Sequence, residues 1–330
     1  GAFTYNSTGQ SVYGLNNSGE DIQNNSQQRC TLIGYDAGKE ITDGPGNTAI
    51  GAECLYKCTT GDYNLAAGHY SMATLTTGNN NIALGNQAMS VGITTGDDNI
   101  CIGRNAGNAI AAASKSVFIG TEAGKVLTGS TKNTFIGYQA GIAHTTGAEN
   151  TFIGAEAGQS SNGGAENTAC GRKAGADLTS GSNNCFIGEK AGTNLAPSGS
   201  VSTADNVLCL GDNGISNFYC SDTSISSSDE RDKTDITNWT HGLDWINKLQ
   251  PITYRWDKRS FYSDDLKVTP DGSKKKPRLH LGFKAQDVVA IEQADGYASK
   301  KDDMLLINLN EDDTAYGMKY ERLVVVLTKA

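Results

Sequence analysis

Within six residues, Ser228-Asp229-Glu230-Arg231-Asp232-Lys233 brings together a hydroxyl nucleophile, three carboxylates, a guanidinium and an ammonium. A serine attacks a peptide carbonyl only once a base takes its proton, and a lysine can be that base only when neutral, a state favoured by desolvation or by cationic neighbours. Arg231 is one such neighbour, and Asp229, Glu230, Asp232 and His241 are candidate accessories. A spacing of five puts Ser228 and Lys233 on opposite faces of a strand and about 140° apart on a helix. Catalysis by this pair therefore needs a bend between them or a Lys233 contributed by an adjacent chain. Taken singly, each charged residue also fits the solvated surface of a linker, and the serine-rich stretch 221–227 has linker composition.

Downstream of the cluster the chain carries a run of landmarks. They are Asp235-Ile236, then Gly242-Leu243-Asp244-Trp245 through Gln250-Pro251-Ile252-Thr253-Tyr254-Arg255-Trp256, then His280-Leu281-Gly282-Phe283-Lys284-Ala285-Gln286-Asp287-Val288, and last Tyr320-Glu321-Arg322-Leu323-Val324. In this order they resemble the C-terminal intramolecular chaperone domain of bacteriophage tail fibres and endosialidase tailspikes. The resemblance implies a domain, residues 221–330, that trimerises and templates the β-rich fibre ahead of it. It also implies release by autoproteolysis at the serine of a Ser-Asp-x-Arg-x-Lys motif, matched here by Ser228, Asp229, Arg231 and Lys233. Ser228 and Lys233 are then the catalytic pair, Asp229 and Arg231 accessories, and Ser228-Asp229 the bond cut, once per chain and with no multiple-turnover activity. In that family the final helix continues into a trimeric coiled coil.

The two parts of the chain differ in make-up. Of its 40 Gly, 35 precede residue 221, while 36 of the 63 charged residues lie in the last 110. The net charge of −9 without a basic face argues against nucleic acid or an anionic membrane as the main partner. The sequence holds no apolar run long enough to span a bilayer and begins with no signal-peptide pattern, so no membrane insertion is expected. A start without Met reads as a fragment. Eight Cys include no Cys-x-x-Cys, and Cys54 and Cys58 lack a second pair or a nearby His, so neither a metal nor a cofactor is expected. Reduced thiols fit assembly in a host cytoplasm.

Residues 1–220 are periodic. Gly34, Gly51, Gly68, Gly85, Gly103, Gly120, Gly137, Gly154, Gly171 and Gly188 recur every 17 residues, with one step of 18, and Gly211 follows after 23 through Ala196-Pro197-Ser198-Gly199. Each unit reads as one main strand, with a second short one expected near Ala140, and turns. The two residues before each Gly are commonly apolar, as in Phe135-Ile136 and Phe152-Ile153, and neighbours in a strand face opposite ways. Both faces are thus apolar, one for the core of the coil and one for a second copy of the chain. The class expected is mainly β: a trimeric β-solenoid, β-roll or intertwined β-prism, followed by a small α/β domain ending in the coiled-coil helix. Cys101, Cys170, Cys185 and Cys209 fall within the strands and read as core substitutions. Asn47, Asn64, Asn81, Asn99, Asn133, Asn150, Asn167 and Asn184, four before the Gly, read as an internal hydrogen-bonding ladder.

Beyond the seam, the expected elements are a helix capped by Thr240 and running to Leu249, a strand at 252–256, a mobile loop over 258–278 containing a solvated Lys274-Lys275-Lys276, a helix over 285–293, a strand at 304–309 and a last helix from Lys319. The overall expectation is a virion tail fibre. Its partners are two further copies, other tail proteins upstream of Gly1 and a host cell-surface receptor, glycan or protein. An uncut receptor-binding fibre or adhesin is the alternative. A glycan hydrolase is disfavoured, because Glu156 and Glu166 occupy different parts of neighbouring repeats rather than forming the paired carboxylates of a glycosidase.

Overall fold

A computed structural model describes residues 4–6, 11–14, 18–19, 29–92, 95–215, 230–263, 267–310 and 313–328. The chain divides into two compact units, Gly1–Asp212 and Asn213–Ala330. The expected boundary at 220/221 lies outside the described residues.

The repeats build a β-solenoid of about nine turns. Its strands, three residues each from Thr31–Ile33 to Leu208–Leu210, stack in one 13-stranded sheet that is parallel except for the first pair, Thr4–Asn6 against Ser11–Gly14. Register is fixed residue for residue, with Thr134 opposite Thr151, Phe135 opposite Phe152 and Ile136 opposite Ile153. The central residue of each strand points into the coil. Leu32, Cys101, Phe118, Phe135, Phe152 and Phe186 are all buried there, and the Phe135 and Phe152 rings stack at 4.8 Å. A stacked aromatic pair of this kind adds about 1 kcal/mol beyond its area burial. The flanking residues point outward, where Ile50, Ile153 and Ile187 remain 45, 39 and 47% exposed.

No second strand forms near Ala140. That stretch is an arch, because Gln139 and Gly141 on either side of it sit at φ +54° and +58°. The position of Gln139 is left-handed in each coil from Asp36 to Lys190, although it holds Glu53, Tyr70, Asn105, Glu156 and Lys173 rather than glycine. Each such residue costs about 1–2 kcal/mol of backbone strain. The same geometry lets its N–H reach the carbonyl of the preceding coil, as from Gln139 to Thr121 at 2.9 Å and from Glu156 to Tyr138 at 2.8 Å, which offsets the strain. Glycine is obligatory just before the arch: at Gly137, φ +136°, a Cβ would lie 2.5 Å from the Gly154 carbonyl oxygen.

The asparagine ladder forms as expected. Asn150 donates its backbone N–H to Asn133 Oδ1 at 2.9 Å and its Nδ2 to the Gly164 carbonyl at 2.9 Å, and Asn167 repeats both bonds one coil on. All eight side chains are buried. Where Ser116 replaces Asn, the ladder continues, with Ser116 N–H donating to Asn99 Oδ1 and Asn133 N–H to Ser116 Oγ.

One core position carries a histidine. His144 is buried edge-on between Phe135 and Phe152, with Nε2 2.8 Å from the Gly147 carbonyl and Nδ1 2.9 Å from Ser161 Oγ. A carbonyl only accepts, so Nε2 carries the proton and Nδ1 accepts from the serine hydroxyl. Burial holds its pKa below the ordinary histidine value. A lowered folded pKa means that the unfolded chain takes up the proton first. Stability is therefore full above about pH 6.5 and declines as pH falls, by up to about 1.4 kcal/mol per unit per chain. Chemical denaturation between pH 7.5 and 5 is expected to show this slope, and His144→Leu, the residue at Leu75, Leu127 and Leu178, to flatten it. An unchanged slope would remove His144 as its source.

The cysteines divide more finely than expected. Cys101 and Cys209 point inward and are buried, but Cys170 is exposed and Cys185 half-buried, because their register places them on the outward columns opposite Ile187 and Thr168. Desolvation pushes the Cys54 and Cys58 thiols up to about 11 and about 12, in keeping with use as small hydrophobes. In the lengthened last step, Ala196 and Val201 turn under the coil and are buried.

The second unit has its own core of Trp245, Leu249, Val288, Val289, Leu306, Ile307 and Val326. Its first helix is shorter than expected, Leu243–Ile246, with Gly242 and not Thr240 at its start. Strands Ile252–Tyr254 and His280–Gly282 pair antiparallel, as do Ile307–Leu309 and Tyr316–Met318. The helix Ala285–Ala294 matches expectation, and the last one is a 3-10 turn, Tyr320–Arg322, leading into Leu323–Leu327. Val324 and Leu327 on it are 62 and 56% exposed.

Candidate functional site

The seam is described from Glu230 onward, and Ser228 and Asp229 lie outside the described residues, as does their distance from Lys233. The chain does bend between the two catalytic candidates. Glu230–Asp232 forms a 3-10 turn closed by the Lys233 N–H on the Glu230 carbonyl at 3.1 Å, and Asp235 lies just beyond it at φ +53°. From Glu230 to Lys233 the chain is therefore not extended. Glu230, Arg231 and Lys233 are exposed in the single chain. The desolvation that a neutral amine requires has to come from something that covers Lys233. The His241 ring lies 4.9 Å from Trp239, which in turn contacts Trp245 and Tyr297 in an aromatic cluster leading into the core.

Behind the seam, the unit is tied together by a residue that sequence reasoning passed over. Glu292 is fully buried, and its carboxylate accepts the Leu306 N–H at 2.7 Å through Oε1 and the Leu305 N–H at 3.0 Å through Oε2. It joins the helix Ala285–Ala294 to the segment entering the strand Ile307–Leu309. The available signal was its position three and four residues after Val289 and Val288, which puts it on the buried face of the helix.

A family model described as chaperone of endosialidase matches residues 228–297. The match begins at Ser228, takes in the 3-10 turn, the aromatic cluster and the first antiparallel pair, and ends just past the helix that carries Glu292. No curated protein and no solved structure matches the chain. The match covers about a fifth of the chain and supports an intramolecular chaperone role for the second unit. Together with the solenoid, it fits a protein of the tail-fibre and endosialidase kind. Among the described residues, no group of His, Cys, Asp and Glu could hold a metal ion, and no helix is long and apolar enough to cross a membrane.

Proposed function

We propose that this chain is a bacteriophage tail-fibre subunit whose second unit brings three chains together, templates the solenoid, and is then cut away by Ser228 with Lys233 as base. The observation that carries the reading is the coincidence of the family match with the seam: it opens on Ser228 itself. The family also implies self-cleaving peptidase activity. Asp229 and Arg231 assist, and the bond broken is Ser228-Asp229. The reaction runs once per chain, and the released fibre serves host attachment in the virion after assembly in the host cytoplasm.

The homotrimer is supported by the outward columns of the solenoid. Ile33, Ile50, Leu84, Ile102, Ile119, Ile136, Ile153 and Ile187 form one apolar row in constant register. Three such rows facing one another would remove it from water. The inward and outward columns give the test. Ile153→Asp is expected to leave the coil folded but prevent trimers, because an unpartnered carboxylate would be buried between chains. Phe135→Asp places the charge inside the coil and is expected to prevent folding of the repeat altogether. Light scattering and circular dichroism separate the two, and a normal trimer from Ile153→Asp would rule out this face.

A further inference from the structure

The strands Ile307–Leu309 and Tyr316–Met318 form a two-stranded sheet of their own, so each keeps one edge that pairs with no other strand. Which groups the edge of Tyr316–Met318 presents follows from the bonds that flank the pair. Asn310 donates its N–H to the Ala315 carbonyl at 3.0 Å, and Lys319 donates to the Leu306 carbonyl at 2.7 Å. Hydrogen-bonded pairs alternate along an antiparallel ladder, so between these two it is Gly317, opposite Asn308, that turns its backbone toward the other strand. Tyr316 and Met318 turn theirs outward, and among the described residues their N–H and carbonyl groups have no partner. An open edge is usually blunted by a charge, a proline or a bulge, and Tyr316-Gly317-Met318 has none of these.

This edge borders a cleft of about 710 Å³, within the range of ligand sites. Tyr316, Gly317 and Met318 all line it, and consecutive strand residues, whose side chains alternate, share one concavity when it runs along their edge. The remaining wall carries Tyr254, Trp256, Phe283 and Tyr320. Tyr254 and Trp256 meet edge to face at 5.1 Å, the Phe283 and Tyr320 rings stack at 6.1 Å, and the Phe283 N–H donates to the Tyr320 hydroxyl at 3.2 Å. Arg259 donates through Nη2 to the Thr314 carbonyl at 2.7 Å, which ties the segment just past Trp256 to the entry of the open strand. Alternating donors and acceptors at strand spacing are matched by another backbone in extended form, and an aromatic wall suits a large apolar side chain on it. The chain itself holds such uncharged segments: Asn-Thr-Phe-Ile-Gly occurs at 133–137 and again at 150–154. Until its coil closes, each has unpaired edges and a phenylalanine in water.

We propose that the cleft takes up a repeat segment of this chain, not yet built into its coil, as a third strand along Tyr316–Met318 with its phenylalanine against the aromatic wall. This rests on the chaperone reading and gives the second unit a place to hold a repeat strand extended until a neighbouring coil replaces it. The test adds acetyl-Asn-Thr-Phe-Ile-Gly-amide to the full-length Ser228→Ala chain and follows amide hydrogen exchange at Tyr316 and Met318 together with tryptophan fluorescence. Saturable slowing of exchange at both amides is expected, with Gly317, already paired with Asn308, unchanged. Tyr316→Pro removes an outward donor and no bond of the hairpin, and is expected to weaken binding about tenfold, whereas Tyr316→Val retains it. Trp256→Ala, which leaves the hairpin intact, is expected to weaken it as well. Exchange unmoved by the peptide, equal binding of a scrambled peptide, or full binding by the Tyr316→Pro or Trp256→Ala chain would overturn the proposal. The chaperone reading is judged separately, by trimer formation without the second unit, so its failure and that of the cleft are told apart.

Discussion

Chains carrying Ser228→Ala are expected to stay at full length inside normally assembled trimers, and Lys233→Ala to give the same result. The first substitution removes the attacking oxygen and the second removes the base, and loss of either member of such a pair lowers a rate by about 10⁴-fold or more. Lys233 belongs to neither hydrophobic core, and a serine-to-alanine change is small, so assembly is expected to be unaffected. The exposure of Lys233 in the single chain adds a condition. If covering by a neighbouring chain supplies the desolvation, cleavage follows trimerisation and, once trimers exist, no longer depends on dilution. A denaturing gel over a dilution series checks both points. Cleavage that persists in the Lys233→Ala chain would remove the lysine from the mechanism.

Residues 1–227 expressed without the second unit are expected to aggregate or remain monomeric, whereas the same residues released from a full-length precursor remain trimeric and resist denaturant. The reason lies in the repeat. Successive coils present nearly the same outward residues at the same register, so a slip of one 17-residue coil between chains preserves most contacts, and nothing local selects the correct alignment. On the proposed reading, a trimeric unit at one end would fix the axial position before the rows meet. Once it was removed, the fibre would persist through a high unfolding barrier rather than through an ability to re-form. Efficient trimer formation by the truncated chain would sink the chaperone role even if cutting occurs.

The solenoid was legible because the 17-residue step marks every coil, and the asparagine ladder because Asn recurs at one turn position. The strands themselves hid which side was which: with Phe135 and Ile136 both apolar, only the coil's closure decides that Phe135 is inside. That same ambiguity led to Cys170 and Cys185 being read as core when they face outward. The left-handed arch could not be read at Gln139 or Glu156, since ordinary residues occupy a glycine-like conformation there for the sake of hydrogen bonds between coils. In the second unit, the short elements depend on tertiary contacts. Glu292 looks like any surface acid of a helix until the backbone of Leu305 and Leu306 is brought to it. The Ser228 and Lys233 pair was visible as residue types and spacing, whereas the antiparallel pairing of Ile252–Tyr254 with His280–Gly282 joins residues distant in sequence.

The most direct test is the intact mass of subunits taken from purified wild-type trimers. Two fragments meeting between Ser228 and Asp229 are expected, with the solenoid fragment alone retaining the trimeric size. A single full-length mass from stable trimers, or a cut elsewhere that Ser228→Ala and Lys233→Ala leave unchanged, would contradict self-cleavage at the seam.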